Sequence, residues 1–294
     1  MYYHMIIACI PAFNEGNVIG KLIKNMLQYV DNIIVCDDGS TDDTSIQAQK
    51  AGAEVITHKK NLGKGAAMRT LFNFVKDKNF DVMITIDGDG QFSPQEVPKL
   101  LPPILNDQMD IVIGYRSNKD EMPSYRKFGN KFLDSMTNLA SELPFRDTQS
   151  GFRSYSKKAV SVISFKTNGF GADSEILIDA SRKKLKITEV GVTVNYHTGE
   201  KTSTKDPISH TSEVILSLIE LIAIRHPLKY LGIPGFLLTI LGIFFGVWSI
   251  LIFNEMKSFH ISTLVIGIGA TILGVMLLLT SIVLYGSSKV QTKN

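Results

Sequence analysis

Four short clusters hold residue types with chemistry to offer: Pro11-Ala12-Phe13-Asn14-Glu15, Asp37-Asp38-Gly39-Ser40-Thr41-Asp42-Asp43-Thr44, Asp87-Gly88-Asp89-Gly90-Gln91 and Gly114-Tyr115-Arg116. A single glycine separates Asp87 from Asp89, so both carboxylates can turn toward one ion. Oxygen donors in that arrangement suit Mg²⁺ or Mn²⁺. Each acidic cluster taken alone also reads as turn chemistry, with Asp-Asp-Gly as a turn and Ser40 or Asp42 as a helix N-cap. Competing motifs fail. An EF-hand starting at Asp87 needs glycine where Phe92 stands and glutamate where Pro98 stands. Gly63-Lys64-Gly65 lacks the spacing of a P-loop, and Met68 takes the third-glycine place of a dinucleotide fingerprint. The six histidines show no zinc spacing, and no Gly-x-Ser-x-Gly elbow occurs.

These clusters need a scaffold that gathers them. Met5–Ile10, Asn32–Cys36, Glu54–Thr57, Val82–Ile86 and Ile111–Ile113 read as strands. Between them, Val18, Ile19, Leu22, Ile23, Met26, Leu27 and Val30 follow a helical period. Thr44–Lys50, Ala66–Lys76 and Pro94–Leu105 also suit helices, the last opened by a capping box, Ser93 to Glu96. Alternating strand and helix predicts an α/β fold with a mainly parallel sheet covered on both faces. Such sheets bind ligands at the C-terminal ends of their strands, which is where all four clusters fall. Three acidic clusters at one edge would repel each other, and a divalent cation with hydrogen-bonding ligands removes that cost.

The charge pattern divides the chain. Of 31 basic and 28 acidic residues, only Lys229, Glu255, Lys257, Lys289 and Lys293 lie beyond residue 228, so the whole net charge of +3 sits there. A neutral body argues against a nucleic-acid partner. Leu231–Phe253 and Ile261–Tyr285 carry no charge, and each exceeds the ~20 residues that cross a bilayer as a helix. Asn254–His260 makes them an antiparallel hairpin. Arg225, Lys229, Lys289 and Lys293 flank the outer ends, which by the positive-inside rule puts both termini in the cytoplasm. The N-terminus shows no signal peptide, so the body is expected on that same side. Gly242 and Gly246, with Ala270 and Gly274, either pack the two spans together or make a dimer. Ile208–Arg225 is apolar except for a stripe of Ser209, Glu213, Ser217 and Glu220, and reads as a helix at the membrane interface or packed on the body. The expected organisation is a body over 1–207, an interfacial helix over 208–228 and a two-span hairpin over 229–294. Cys9 and Cys36 lie in apolar runs and read as small buried hydrophobes.

PAFNE, DDGSTDDT, NLGKGAAMRTLF and DGDGQFSP, in this order, resemble family 2 glycosyltransferases of the GT-A fold. With GYR and a two-span tail, the chain is similar to polyprenyl-phosphate hexose synthases of the dolichol-phosphate mannose synthase type, including archaeal members. The resemblance implies a Rossmann-like GT-A body. It implies that Pro11, Phe13 and Glu15 contact a nucleotide sugar, with Glu15 near the ribose and Asp38 near the base. It places Asp87 and Gly88 against ribose and diphosphate, and makes Asp87, Asp89 and Gln91 the metal site. It gives Arg116 and Arg126 to phosphate near the reacting carbon. Arg126 also reads as a solvated residue at a helix start. Lys201 and Lys205 compete for the donor phosphate, since His197 stands where relatives often carry arginine. Asp173 or Glu175 positions the sugar or caps a helix, and Asp147 orients the acceptor side or belongs to a polar loop.

The implied reaction moves a hexose to a polyprenyl (dolichyl) phosphate at the bilayer surface. Mannose from GDP-mannose is the first expectation; glucose or N-acetylglucosamine from a UDP-sugar is the alternative. An acceptor that is already anionic needs no strong base, and direct attack inverts the anomeric carbon. A processive polysaccharide synthase is disfavoured, because the only tryptophan, Trp248, lies in a span and no Gln-x-x-Arg-Trp exists. A catalytically silent nucleotide-sugar-binding scaffold remains the reading from another class.

Overall fold

The computed structural model describes residues 4–106, 108–118, 124–169, 171–195, 227–256 and 261–291. The chain separates into two units, Met1–Leu218 and Ile219–Asn294. The expected interfacial helix over 208–228 falls almost wholly outside the described residues, as do Lys201 and Lys205.

All five expected strands form, with ends shifted by a few residues: β1 (Ile6–Ala12), β2 (Asn32–Asp37), β3 (Glu54–Thr57), β4 (Val82–Thr85) and β5 (Ile111–Arg116). Two more, β6 (Arg153–Ser156) and β7 (Ile187–Val192), complete a seven-stranded sheet ordered β3-β2-β1-β4-β6-β5-β7. Every pairing is parallel except those of β6, which runs antiparallel between β4 and β5. Thr85 and Ile113 both pair with Arg153. The start of β6 therefore lies at the edge where the parallel strands end.

Both faces of the sheet are covered, so the central strands read as continuous apolar runs. Alternate residues go to opposite faces. On one side Ala8, Ile10, Val35 and Ile84 pack with α1 (Ile19–Met26) and α4 (Val97–Leu105). On the other, Ile7, Cys9, Ile34 and Met83 pack with α3 (Lys64–Val75) and α7 (Ala172–Arg182). In α1 the period delivers Ile19, Leu22, Ile23 and Met26 to the core; full burial of a side chain of this size contributes ~1.5–3 kcal/mol. The remaining helices of this unit are α2 (Thr44–Lys50), α5 (Ser124–Ser141) and α6 (Lys157–Val162). Both cysteines are buried free thiols, as expected. The capping box does not form. The Ser93 hydroxyl pairs with the Gln95 side chain, and Pro94–Glu96 makes a 3₁₀ turn before α4.

In the second unit, α8 (Ile233–Met256) and α9 (Ile261–Gln291) are long and apolar enough to cross a membrane, with mean hydropathy 2.5 and 2.3 over their most apolar stretches. Only 11% of each such stretch is buried, which distinguishes them from core helices. They pack through a repeat that the sequence reading missed: Gly-x₃-Thr-x₂-Gly at Gly235, Thr239 and Gly242, and again at Gly267, Thr271 and Gly274. A Cβ on Gly274 would overlap Thr239, and one on Gly242 would overlap Thr271. Each threonine hydroxyl donates to the carbonyl four residues earlier, Gly235 or Gly267, at 2.8 Å. The backbones can thus approach without stranding a polar atom in lipid. Of the expected GxxxG, Gly242 is used within the chain; Gly246 offers its backbone to Gly267, whose Cβ would sit 2.9 Å from the Gly246 nitrogen, but a Cβ on Gly246 itself would meet nothing within 4 Å among the described residues.

Gly242→Leu or Gly274→Leu should therefore force α8 and α9 apart, whereas Gly269→Leu, which meets nothing within 4 Å, should not. Thermal unfolding of the detergent-solubilised protein, with disulfide cross-linking between engineered cysteines on the two spans, distinguishes the two classes.

Candidate active site

The first two clusters lock together before any ligand is involved. Asn14 has a left-handed backbone (φ 56). Its amide donates to Ser40 Oγ at 2.8 Å, and its side-chain oxygen accepts from the Thr41 amide at 2.9 Å. The Glu15 amide donates to Thr44 Oγ1 at 2.8 Å, and the Gly16 amide to Asp42 at 3.0 Å. Asp37 accepts from the Ser40 amide and the Ser45 hydroxyl. The acidic run after β2 is thus mostly turn and cap chemistry. Its repulsion is relieved by backbone amides and hydroxyls, which are the hydrogen-bonding groups expected from the sequence.

Asp38 goes the same way. Its carboxylate accepts from the Leu62 amide (3.0 Å), the Gly63 amide (2.7 Å) and His58 Nδ1 (2.6 Å). At 3% exposure its carboxylate is held by its own chain. What Asp38 does is fix the entry to α3, and therefore the position of Lys64.

Around Asp87 the structure assembles a charge network that the sequence did not disclose. Lys64 Nζ lies 2.8 Å from Asp87 Oδ1 and 2.9 Å from Asp173 Oδ2. Burial opposes the Lys64 charge, but Asp173 and Asp87 outweigh it and raise the ammonium pKa above its ordinary value. Asp173 is accordingly the carboxylate that joins the site. Glu175 is taken up by the Lys166 and Thr167 amides. The Asp87 carboxylate rests on Gly151, just before β6, where any Cβ would overlap it. The Gly151 carbonyl is anchored by Thr85 Oγ1 at 2.9 Å. Gly88 packs on the end of β1, where a Cβ would lie 3.2 Å from the Pro11 carbonyl oxygen. Pro11 and Gly88 are buried, and Phe13 and Glu15 are half-buried beside them in sequence.

Asp89 is pushed up to about 6 by burial and then by the Asp87 charge, with Lys64 and Arg116 acting in the opposite direction. One Asp89 oxygen accepts from the Gln91 amide at 3.0 Å. Asp87, Asp89 and the Gln91 side chain offer hard oxygen donors of net negative charge, which Lys64 offsets only in part, and this chemistry suits Mg²⁺ or Mn²⁺. Among the described residues no cluster of three or more His, Cys, Asp or Glu side chains forms a complete protein cage. Mg²⁺ is usually held by one or two carboxylates together with waters and substrate phosphates.

Arg116 ends β5 and meets Asp147 in a bidentate pair, Nε to Oδ2 and Nη2 to Oδ1, both 2.7 Å. Its amide donates to the same carboxylate at 3.0 Å. Asp147 is fully buried, so the guanidinium is held in one orientation. Asp147, in the loop before β6, thus orients Arg116. Beneath them, the fully buried Arg153 donates to the Asp173 carbonyl at 3.0 Å and the Thr148 carbonyl at 2.8 Å. It ties together the two backbone segments that carry Asp173 and Asp147. Arg126 lies in the first turn of α5, its side chain outside the described residues. The segment bearing Lys201 and Lys205 leaves the described body at Asn195, whose amide donates to the Gln91 carbonyl at 2.9 Å.

The sequence profile of Glycosyl transferase family 2 matches residues 7–165, more than half of the chain. The chain belongs to glycosyl transferase family 2. Among similar proteins, this transferase is 33% identical to the UDP-N-acetylglucosamine–dolichyl-phosphate N-acetylglucosaminyltransferase of Methanococcus voltae, over 65% of this chain and 86% of that one. It is 28% identical to the dolichyl-phosphate hexose transferase of Haloferax volcanii, over 71% and 90%. Its fold is that of glucosyl-3-phosphoglycerate synthase from Mycobacterium tuberculosis, solved with Mn²⁺ and UDP, at a TM-score of 0.61 and 24% identity over 75% of this chain and 80% of that one. The GT-A body expected from the motifs is therefore observed.

Lys64, Gly151 and Arg153 are the site residues that the sequence reading passed over. Lys64 stands in the sequence in a failed P-loop and in the NLGKGAAMRTLF motif, neither of which gives it a partner, and the run from Asp147 to Arg153 draws attention only to its aspartate. Gly151→Ala should displace the Asp87 carboxylate while leaving the sheet intact. Misplacement by ~1 Å can cost about 10²-fold in rate, so turnover should fall by that order with a circular dichroism spectrum unchanged. A rate within twofold of the parent would refute the role given to Gly151.

Proposed function

We propose that this transferase moves a sugar from a nucleotide sugar to a polyprenyl (dolichyl) phosphate at the cytoplasmic face of a membrane, with inversion and with a divalent ion. One arrangement carries the reading: the Asp87-x-Asp89 loop and the clamped Arg116 share a sheet edge in a chain that also holds two membrane-length helices. The two archaeal relatives act on dolichyl phosphate by name, which supports the same acceptor here. The uridine donor named for the Methanococcus relative favours a UDP-sugar over the GDP-mannose first expected from the motifs. The hairpin would anchor the chain with both termini cytoplasmic, in keeping with the outer lysines.

The residues divide the work by charge. Pro11, Phe13 and Glu15 would line the nucleotide side. Asp87, Asp89 and Gln91 would hold Mg²⁺ or Mn²⁺, which when bound stabilises the charge on the leaving diphosphate without proton transfer. Arg116, pre-aimed by Asp147, would bind the acceptor phosphate and offset its repulsion from the donor. Arg126 in α5, and Lys201 or Lys205 beyond Asn195, would add positive charge. Asp173 would face the sugar from the Lys64 side. The acceptor oxygen is anionic at neutral pH, so no residue need remove a proton.

Membranes containing the protein, incubated with labelled UDP- and GDP-sugars, dolichyl phosphate and Mg²⁺ or Mn²⁺, should yield one glycolipid that carries the sugar on phosphate. No product with any donor, while the nucleotide sugar still binds, would point instead to the silent scaffold. Asp89→Ala should reduce transfer at least about 10²-fold through lost charge stabilisation; near-parental turnover would remove the metal assignment.

A further inference from the structure

Lys64 does something in this site that none of the ligand contacts above requires. Its ammonium sits between Asp87 and Asp173 at ion-pair distance from both, with a side chain only 13% exposed. Neither end of this pair is free to drift. Asp38 fixes the start of α3 through two backbone amides, and Gly151 forms the floor under the Asp87 carboxylate.

We infer that Lys64 is a built-in counter-cation that makes divalent-metal binding depend on the nucleotide. This rests on the metal-dependent reading above. One Asp87 oxygen has a positive partner 2.8 Å away, shared with Asp173. A dication shared by Asp87 and Asp89 must therefore accept half-neutralised ligands and the repulsion of the ammonium beside them, in a site shielded from water. Asp87, Asp89 and Asp173 bring three negative charges, and Lys64 offsets one of them. A nucleoside diphosphate arriving with the metal adds negative charge that both the metal and Lys64 favour. The lysine thus weakens binding of metal alone and strengthens binding of metal and diphosphate together. Arg116 also acts on Asp89, but Asp147 holds its guanidinium, and Lys64 is the cation in direct contact with Asp87.

Mn²⁺ binding to the purified full chain, followed by electron paramagnetic resonance, tests the inference without any turnover. In the parent protein, UDP or GDP should tighten Mn²⁺ binding by about tenfold or more relative to Mn²⁺ alone. Lys64→Gln should bind Mn²⁺ alone about tenfold more tightly than the parent and lose most of the nucleotide effect. Lys64→Arg, which keeps the charge, should behave as the parent does. Equal Mn²⁺ affinity in the parent with and without nucleotide overturns the inference even if the glutamine variant fails to fold. So does a glutamine variant that folds and binds Mn²⁺ no more tightly. A protein that binds no Mn²⁺ under any condition, yet transfers sugar in the presence of chelator, overturns the metal assignment together with this inference and leaves the transferase reading standing.

Discussion

Carboxylates gathered at one sheet edge repel each other, and every part of the site is arranged around that repulsion. The chain meets it in three ways. Backbone amides and hydroxyls absorb Asp37, Asp38 and Asp42, converting acidic side chains into turns that hold the nucleotide-side loops. Buried cations absorb Asp147 and Asp173, through Arg116 and Lys64. Asp87 and Asp89 keep negative charge that Lys64 offsets only in part, and burial together with the Asp87 charge raises the pKa of Asp89. A cation taking oxygen ligands would complement that charge.

The antiparallel strand makes this possible. Had β6 run parallel to its neighbours, Gly151 and Asp147 would lie at the opposite edge of the sheet. Running against β4 and β5, it delivers them beside Asp87 and Arg116. Arg153 then serves as a buried tie. A charged side chain without exposure is costly unless paired, and here Nη1 and Nη2 donate to carbonyls from both segments that frame the site, while Nε is left without a partner among the described residues. Rigidity comes from these ties, and the donor-side loops are already linked to one another before a ligand arrives.

The hairpin solves a different problem with the same economy. In lipid there is no hydrophobic gain from bringing helices together, so contact depends on close backbone approach. Glycines seven residues apart in each span, with a threonine between them bonded to its own helix, provide that approach. The outward faces keep large apolar side chains such as Phe236, Ile243 and Val265 exposed, as a lipid-facing surface would.

The sequence by itself determined the alternation of strands and helices, the membrane-length helices and the identity of the Asp87-Gly88-Asp89 loop. These follow from local patterns: β-branched runs, a 3.6-residue period, uncharged stretches beyond twenty residues, and motifs contiguous in the chain. Only the tertiary structure decided which carboxylates remain available for a ligand. A carboxylate in a cap and one at a metal site look alike in sequence, and the difference lies in partners far along the chain. Lys64 and Asp173 are 109 residues apart, Arg116 and Asp147 31 apart, and Thr85 and Gly151 66 apart. Helix and strand periodicity cannot register such pairs. The last two exist because one strand enters the sheet against the direction of its neighbours, and the first because α3 and α7 pack on the same face of that sheet.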